Sequence, residues 1–351
     1  MEEQKSFYAT FSPDSSMFCI GDEDSFKIFS SVGDSVILKK KIRIDGGIKL
    51  IDILTRCNIL AFVGTGEDPK FANSKVILYD FVQKKAIKEL IVSYEIKNIK
   101  LKRDYIFVVG DEKIMSFTFG NYEKKDTITT YNNERGILGI STDPKINKIA
   151  YPSAQGEVTV KNYEEKDKDG NYKIIKIQAH TSNIFSLGMN SDGSFLATAS
   201  EKGNNIRIYR TKDGDFIQEL RRGSTTAEIY SLSFSMDSTY LACSSNKGTI
   251  HIFQVKKGVE EVNNQKSVIG NICSFFGVKS EFFGSEWSFA QFRINNNNRS
   301  IVTFAPNNAP SVLVITSDGK YYEGKFDVNS GGECQTSLTL DIMNLQEEVE
   351  N

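Results

Sequence analysis

With 351 residues, 39% of them apolar, the chain exceeds one average domain and has apolar residues enough for a core, and it has no continuous apolar run long enough to span a bilayer as a helix. A net charge of −2 excludes bulk nucleic-acid binding, which goes with a basic excess, so any attraction to anions must be local. Cys19, Cys57, Cys243, Cys273 and Cys334 form no CxxC and no cluster with histidine, which argues against a metal site and fits a reducing cytoplasm. The N-terminus, MEEQKSFYATF, lacks the charged-then-apolar pattern of a signal sequence. From Phe11 a pattern recurs: apolar strand, polar turn with an aspartate, apolar strand, glycine turn, apolar strand. Clear copies run over Phe11 to Phe29, Ile140 to Tyr163, Met189 to Tyr209 and Ser233 to Phe253. Their aspartates, Asp14, Asp143, Asp192 and Asp237, stand where a side chain can bond its own turn, and the last two are 45 residues apart, near a propeller-blade period. Alternation such as Ile206-Arg207-Ile208-Tyr209 marks strands rather than helices. Weaker clusters at Ile59 to Val63, Val76 to Phe81, Tyr105 to Val109, Ile114 to Phe119, Ile301 to Phe304 and Val312 to Ile315 fill the gaps. The expected fold is all-β, a seven-bladed β-propeller over residues 1–328, with the N-terminal strand completing the last blade and 329–351 a mobile tail.

Within the fifth and sixth repeats lies Arg221-Arg222-Gly223, and the only two histidines, His180 and His251, bracket it. Most arginine pairs are solvated surface charge, but here both histidines of the chain fall beside the pair. Neighbouring side chains of an extended segment point to opposite faces, so Arg221 and Arg222 suggest two anion sites rather than one. Each would join a guanidinium, the side chain best shaped for bidentate phosphate recognition, to an imidazole and nearby hydroxyls. A phosphomonoester beside either histidine would favour the imidazolium, so mild acidification is expected to tighten binding.

The stretch from Gln178 to Phe253 carries LRRG, AH before a blade, ATAS-x-KG with IR shortly after, and GTIHIF, in that order. It closely resembles the PROPPIN family, β-propellers that bind phosphoinositides through an [FL]RRG motif. The likeness is dense over about residues 178–293 and looser from about Phe7. There is no Trp-Asp dipeptide and Trp287 is the sole tryptophan, which suits that family's divergent blades. The resemblance implies one site from His180, Ser200, Arg207 and Arg221 and another from Arg222, Ser244, Thr249 and His251, with Lys202 and Lys247 at equivalent turns. Asn204 stands where family members commonly carry threonine, a departure that bears on affinity or headgroup preference. The implied ligands are phosphatidylinositol 3-phosphate and phosphatidylinositol 3,5-bisphosphate, with no cofactor. The implied protein is a monomer, cytoplasmic and peripheral on autophagic, endosomal or vacuolar membranes. An autophagy lipid-transfer partner would dock on blades two and three near Lys102 or Arg103.

The sixth repeat holds a long insertion, about 256–286, whose centre from Val268 to Val278 is uncharged. Loops of that length are uncommon unless functional or disordered. Val268, Ile269, Ile272, Phe275 and Phe276 follow helical spacing, and Phe282 and Phe283 add a second apolar pair. By resemblance this loop dips into the bilayer between the two lipid sites; the alternative is that its phenylalanines fold back onto the blade. Catalysis is not expected: no cysteine has arginine six residues on, and there is no P-loop and no GxSxG. The competing reading is a protein-only propeller scaffold that binds acidic peptides.

Overall fold

A computed structural model describes residues 7–31, 35–44, 46–67, 69–258, 262, 264–266 and 285–347. Seven four-stranded antiparallel blades follow one another in chain order. Blade one is β1 (Tyr8–Phe11), β2 (Met17–Gly21), β3 (Ser25–Ser30) and β4 (Ile37–Arg43); blade two is β5 (Ile48–Ile53), β6 (Ile59–Gly64), β7 (Lys75–Asp80) and β8 (Lys85–Ile91). Blade three is β9 (Asn98–Leu101), β10 (Tyr105–Val109), β11 (Lys113–Thr118) and β12 (Lys124–Thr129); blade four is β13 (Gly139–Ile140), β14 (Lys148–Ala154), β15 (Glu157–Lys166) and β16 (Tyr172–Gln178). Blade five is β17 (Ile184–Met189), β18 (Phe195–Ser200), β19 (Asn205–Arg210) and β20 (Phe216–Arg221). In blade six, β21 (Ile229–Phe234), β22 (Tyr240–Ser245) and β23 (Thr249–Gln254) are followed by the insertion, with short strands β24 (Gln265–Lys266) and β25 (Glu286–Trp287), before β26 (Ala290–Arg293) completes the blade. Blade seven is β27 (Ser300–Phe304), β28 (Ser311–Thr316), β29 (Lys320–Asp327) and β30 (Gly331–Asp341).

The expected aspartates do shape their turns: the Asp14, Asp143, Asp192 and Asp237 carboxylates accept backbone N–H bonds from Ser16, Lys145, Ser194 and Thr239 at 2.8–3.1 Å. Middle strands such as β10 and β22 are buried on both faces because each blade packs its apolar side chains against both neighbours. Leu50, Val63, Val76 and Leu78 of blade two, for example, meet Ile99, Leu101, Ile106 and Val108 of blade three in one cluster.

Two expectations about ring closure are corrected. The N-terminal strand β1 belongs to blade one, pairing Tyr8 to Phe11 with Gly21 to Phe18 of β2. Blade seven takes its outer strand from β30, so residues 331–341 are a paired strand rather than a mobile tail. An outermost strand needs few apolar residues; of β30 only Cys334 is buried, which is why GGECQTSLTLD does not read as a strand. The ring closes by packing: Phe18, Phe29 and Leu38 of blade one lie against Leu313, Ile315 and Tyr321 of blade seven.

Candidate functional site

Strand alternation decides what the two arginines face. On blade five, Ala197, Ala199, Ile206, Ile208 and Leu220 pack toward blade six. Thr198, Ser200, Arg207, Glu219 and Arg221 therefore fall on the side of blade four. Arg222 follows the end of β20, and the chain's turn carries it toward blade six, where Gly203 and Thr225 hold it. Its Nε donates to the Gly203 carbonyl at 3.0 Å, its Nη2 to the Thr225 carbonyl, and its backbone N–H to the Asn204 carbonyl at 2.8 Å. Gly203 sits at φ 60°, and a Cβ there would collide with the Ala227 carbonyl, so the turn that cradles Arg222 requires glycine. The paired arginines thus face opposite sides of blade five.

On the side of blade four, His180, Thr198 and Arg207 lie together, and Arg221 shares their face of the sheet. His180 Nε2 is 2.9 Å from Thr198 Oγ1. Arg207 is already engaged: its Nε donates to Glu219 at 2.8 Å and its Nη1 to the Ala179 carbonyl at 2.7 Å. Two members of this set, Thr198 and Glu219, were not anticipated from sequence. Asn204 donates from its amide to the Ser224 carbonyl at 3.0 Å, so this departure from the usual threonine ties the turn of β18–β19 to the segment after RRG.

On the other side of blade five, His251 shares a face with Cys243, its cross-strand partner, and with Thr249. Ser244 does not belong there. Its side chain is fully buried on the side of blade seven, where its hydroxyl donates to the Ser300 carbonyl at 2.9 Å. Alternation places Ser245 on the His251 face instead, and the repeats agree: FLATASEKG laid over YLACSSNKG puts Ser200 opposite Ser245. The signal was in the sequence. The cross-strand register matches Arg207 to His251, since Thr198 stands opposite Arg207 as Cys243 stands opposite His251.

Arg222 is 4% exposed, and among the described residues no carboxylate forms an ion pair with it. Among the described residues its guanidinium bonds to carbonyl oxygens, and burial lowers its pKa. An anion beside it would supply a countercharge.

Both imidazoles are pushed down to about 4, first by burial and then by the nearby positive charge of Arg207 for His180 and of Arg222 for His251. They are neutral near pH 7, His180 bonded to Thr198 and His251 Nδ1 3.3 Å from Ser288 Oγ. In the free protein, then, neither imidazole is charged between pH 6 and 8, and tighter binding on acidification toward pH 6 requires the bound phosphate to raise these values. In the free protein the linkage appears in stability. With folded values below the ordinary 6.5, the histidines' contribution is fully present above about pH 6.5 and is lost as pH falls through about 4. The urea midpoint should decline over that window, and His180→Gln with His251→Gln should remove part of the decline. A midpoint that falls equally steeply in the double variant would show that the histidines do not cause it.

Val268, Ile269, Ile272, Phe275, Phe276, Phe282 and Phe283 lie outside the described residues. The return strand of the insertion is described, and it holds the other feature missed from sequence: β25 adds to the outer edge of blade five, parallel to β20, and Trp287 lies opposite Arg221. Near the expected docking place of a partner, Lys102 is a buried brace whose Nζ donates to the Asp143 carbonyl at 3.0 Å and to the Ser141 carbonyl, while Arg103 beside it is exposed. Among the described residues no helix is long and apolar enough to cross a membrane.

A family model described as PROPPIN matches residues 6–343. Among curated proteins, autophagy-related protein 18e of Arabidopsis thaliana is 32% identical over 324 residues, covering 90% of this chain and 82% of that protein. Among solved structures, Hsv2 of Kluyveromyces lactis superposes with a TM-score of 0.77 at 20% identity, covering 96% of this chain and 99% of that one. KlAtg21, solved in complex with the coiled-coil of AgAtg16, superposes with a TM-score of 0.70 at 20% identity, with the same coverage.

Proposed function

The chain belongs to the PROPPIN family, and we propose that it is a peripheral membrane effector that binds phosphatidylinositol 3-phosphate and phosphatidylinositol 3,5-bisphosphate at two grooves flanking blade five. The observation that carries this reading is that Arg221 and Arg222 face opposite sides of blade five, each side holding one buried histidine, with Arg222 lacking a carboxylate partner among the described residues. Neutral imidazoles and hydroxyls donate hydrogen bonds to phosphate and inositol oxygens, and the guanidiniums supply the charge. No bond is made or broken in this role. The names of relatives such as autophagy-related protein 18e support recruitment to autophagic membranes, and the coiled-coil partner of KlAtg21 supports the docking of a protein partner on the same propeller.

Flotation of the full chain with phosphatidylcholine vesicles, with and without phosphatidylinositol 3-phosphate, tests the reading. Recovery with the vesicles is expected only when the phosphorylated lipid is present. Equal recovery with vesicles carrying unphosphorylated phosphatidylinositol would remove the headgroup from the reading, and no recovery at all would favour the scaffold that binds acidic peptides.

A further inference from the structure

We propose that Trp287, held in place by Glu286, is the positioning residue for Arg221 in the first groove. This rests on the reading of Arg221 as a headgroup ligand. The Arg221 guanidinium carbon lies 5.5 Å from the centre of the Trp287 ring, within cation–π range. The Trp287 ring therefore restricts the long side chain through its attraction for the guanidinium charge, so less ordering remains to be done on binding.

The indole can hold that position because its neighbour is anchored on the other side of the strand. Leu220 stands opposite Glu286 and Arg221 opposite Trp287 in the parallel β20–β25 pair. Alternation then turns Glu286 toward Gln218 and blade six, and Trp287 toward the face of Arg221. Glu286 is 8% exposed. Its carboxylate accepts from Gln218 Nε2 at 2.7 Å and Asn264 Nδ2 at 2.8 Å, and from the Lys256 ammonium. Asn264 and Gln254 are joined by reciprocal backbone–amide bonds at 2.8 Å, and Gln218 also reaches the Gln254 carbonyl at 3.1 Å. Blade five, the outgoing end of β23 and both ends of the insertion thus meet at one buried carboxylate, a network whose members hold each other in a single arrangement. An insertion between β23 and β26 of blade six therefore has its root on blade five, against the residue that reads the headgroup.

The test is titration of the full chain with soluble short-chain phosphatidylinositol 3-phosphate, in variants that leave one groove at a time. With Arg222→Thr leaving only the first groove, adding Trp287→Leu should weaken binding about fivefold to tenfold, and Trp287→Phe should restore most of it. With Arg221→Thr leaving only the second groove, Trp287→Leu should change affinity less than twofold. Glu286→Gln, which keeps the shape and loses the charge, should show a smaller loss confined to the first groove, and serves if Trp287→Leu does not fold. Equal losses in both backgrounds would mean that Trp287 merely supports the fold, and no loss in either would mean that Arg221 needs no positioning; each result overturns the proposal. An unsubstituted chain that takes up no headgroup refutes the lipid reading itself, whereas one that takes up two and tolerates Trp287→Leu refutes only the positioning role.

Discussion

Arg221→Thr and Arg222→Thr together should abolish recovery of the protein with vesicles containing phosphatidylinositol 3-phosphate, while either change alone should leave a reduced but measurable fraction. The two side chains face grooves on opposite sides of blade five, so removing one leaves the other groove its own guanidinium and imidazole. A charge-assisted hydrogen bond contributes about 1.5–3 kcal/mol, so each single change should weaken soluble headgroup binding at its own groove by about tenfold or more. On a membrane the loss compounds, because a second site binds at the effective concentration set by the first. Calorimetric titration should give two headgroups per unsubstituted chain and one for each single variant; one headgroup per unsubstituted chain would sink the two-site arrangement. The two singles should also differ in stability. Arg222 donates to the Gly203 and Thr225 carbonyls and is buried, so its loss leaves carbonyls unpaired in a closed turn. Arg222→Thr should therefore lower the unfolding free energy, by an amount of order 1–3 kcal/mol, more than Arg221→Thr does.

What could be read from the chain beforehand follows from which signals are local. Period-two alternation and the turn aspartates are local, and they gave the blades, because a strand buried on both faces between neighbouring sheets must be apolar along its length. The two arginines could be separated into two grooves on the same ground, since adjacent residues of a strand cannot share a face. Ser244 was misassigned although the repeats aligned it with Ala199, because a hydroxyl next to another hydroxyl looks equivalent until the strand's facing is fixed. Glu219 and Thr198 were invisible for a different reason. They act by cross-strand pairing, Arg207 opposite Glu219 and Thr198 opposite Arg207, and register is set by the whole hairpin rather than by any motif. The strands β25 and β30 escaped because a strand at a blade's perimeter has one side to bury and needs little apolar sequence. The neutrality of the histidines in the free protein was not legible because burial, its first cause, is a property of the folded ring.

Replacing Phe275 and Phe276 with aspartate should remove most vesicle binding while leaving affinity for the soluble short-chain headgroup within about twofold. The basis is compositional: Val268 to Val278 carries no charge, and its aliphatic and aromatic residues recur at helical spacing beside Phe282 and Phe283. Transfer of one such side chain out of water is favourable by about 1.5–3 kcal/mol, and an aspartate in its place adds the opposing cost of carrying a charge toward hydrocarbon. Two substitutions therefore shift the partition of the loop by several kcal/mol, which is comparable to one headgroup site and enough to undo the joint attachment. The described roots of the insertion point the same way. Glu286 and Asn264 anchor the segment at the outer edge of blade five, the blade that carries Arg221 and leads into Arg222, so a loop leaving from there would reach a membrane beside headgroups held by those arginines. If the phenylalanines instead fold back onto the blade, the aspartates would unsettle the packing beside both grooves, and soluble headgroup affinity and the unfolding midpoint would fall along with vesicle binding. Loss of vesicle binding alone, with the other two unchanged, is the result that the inserted loop requires.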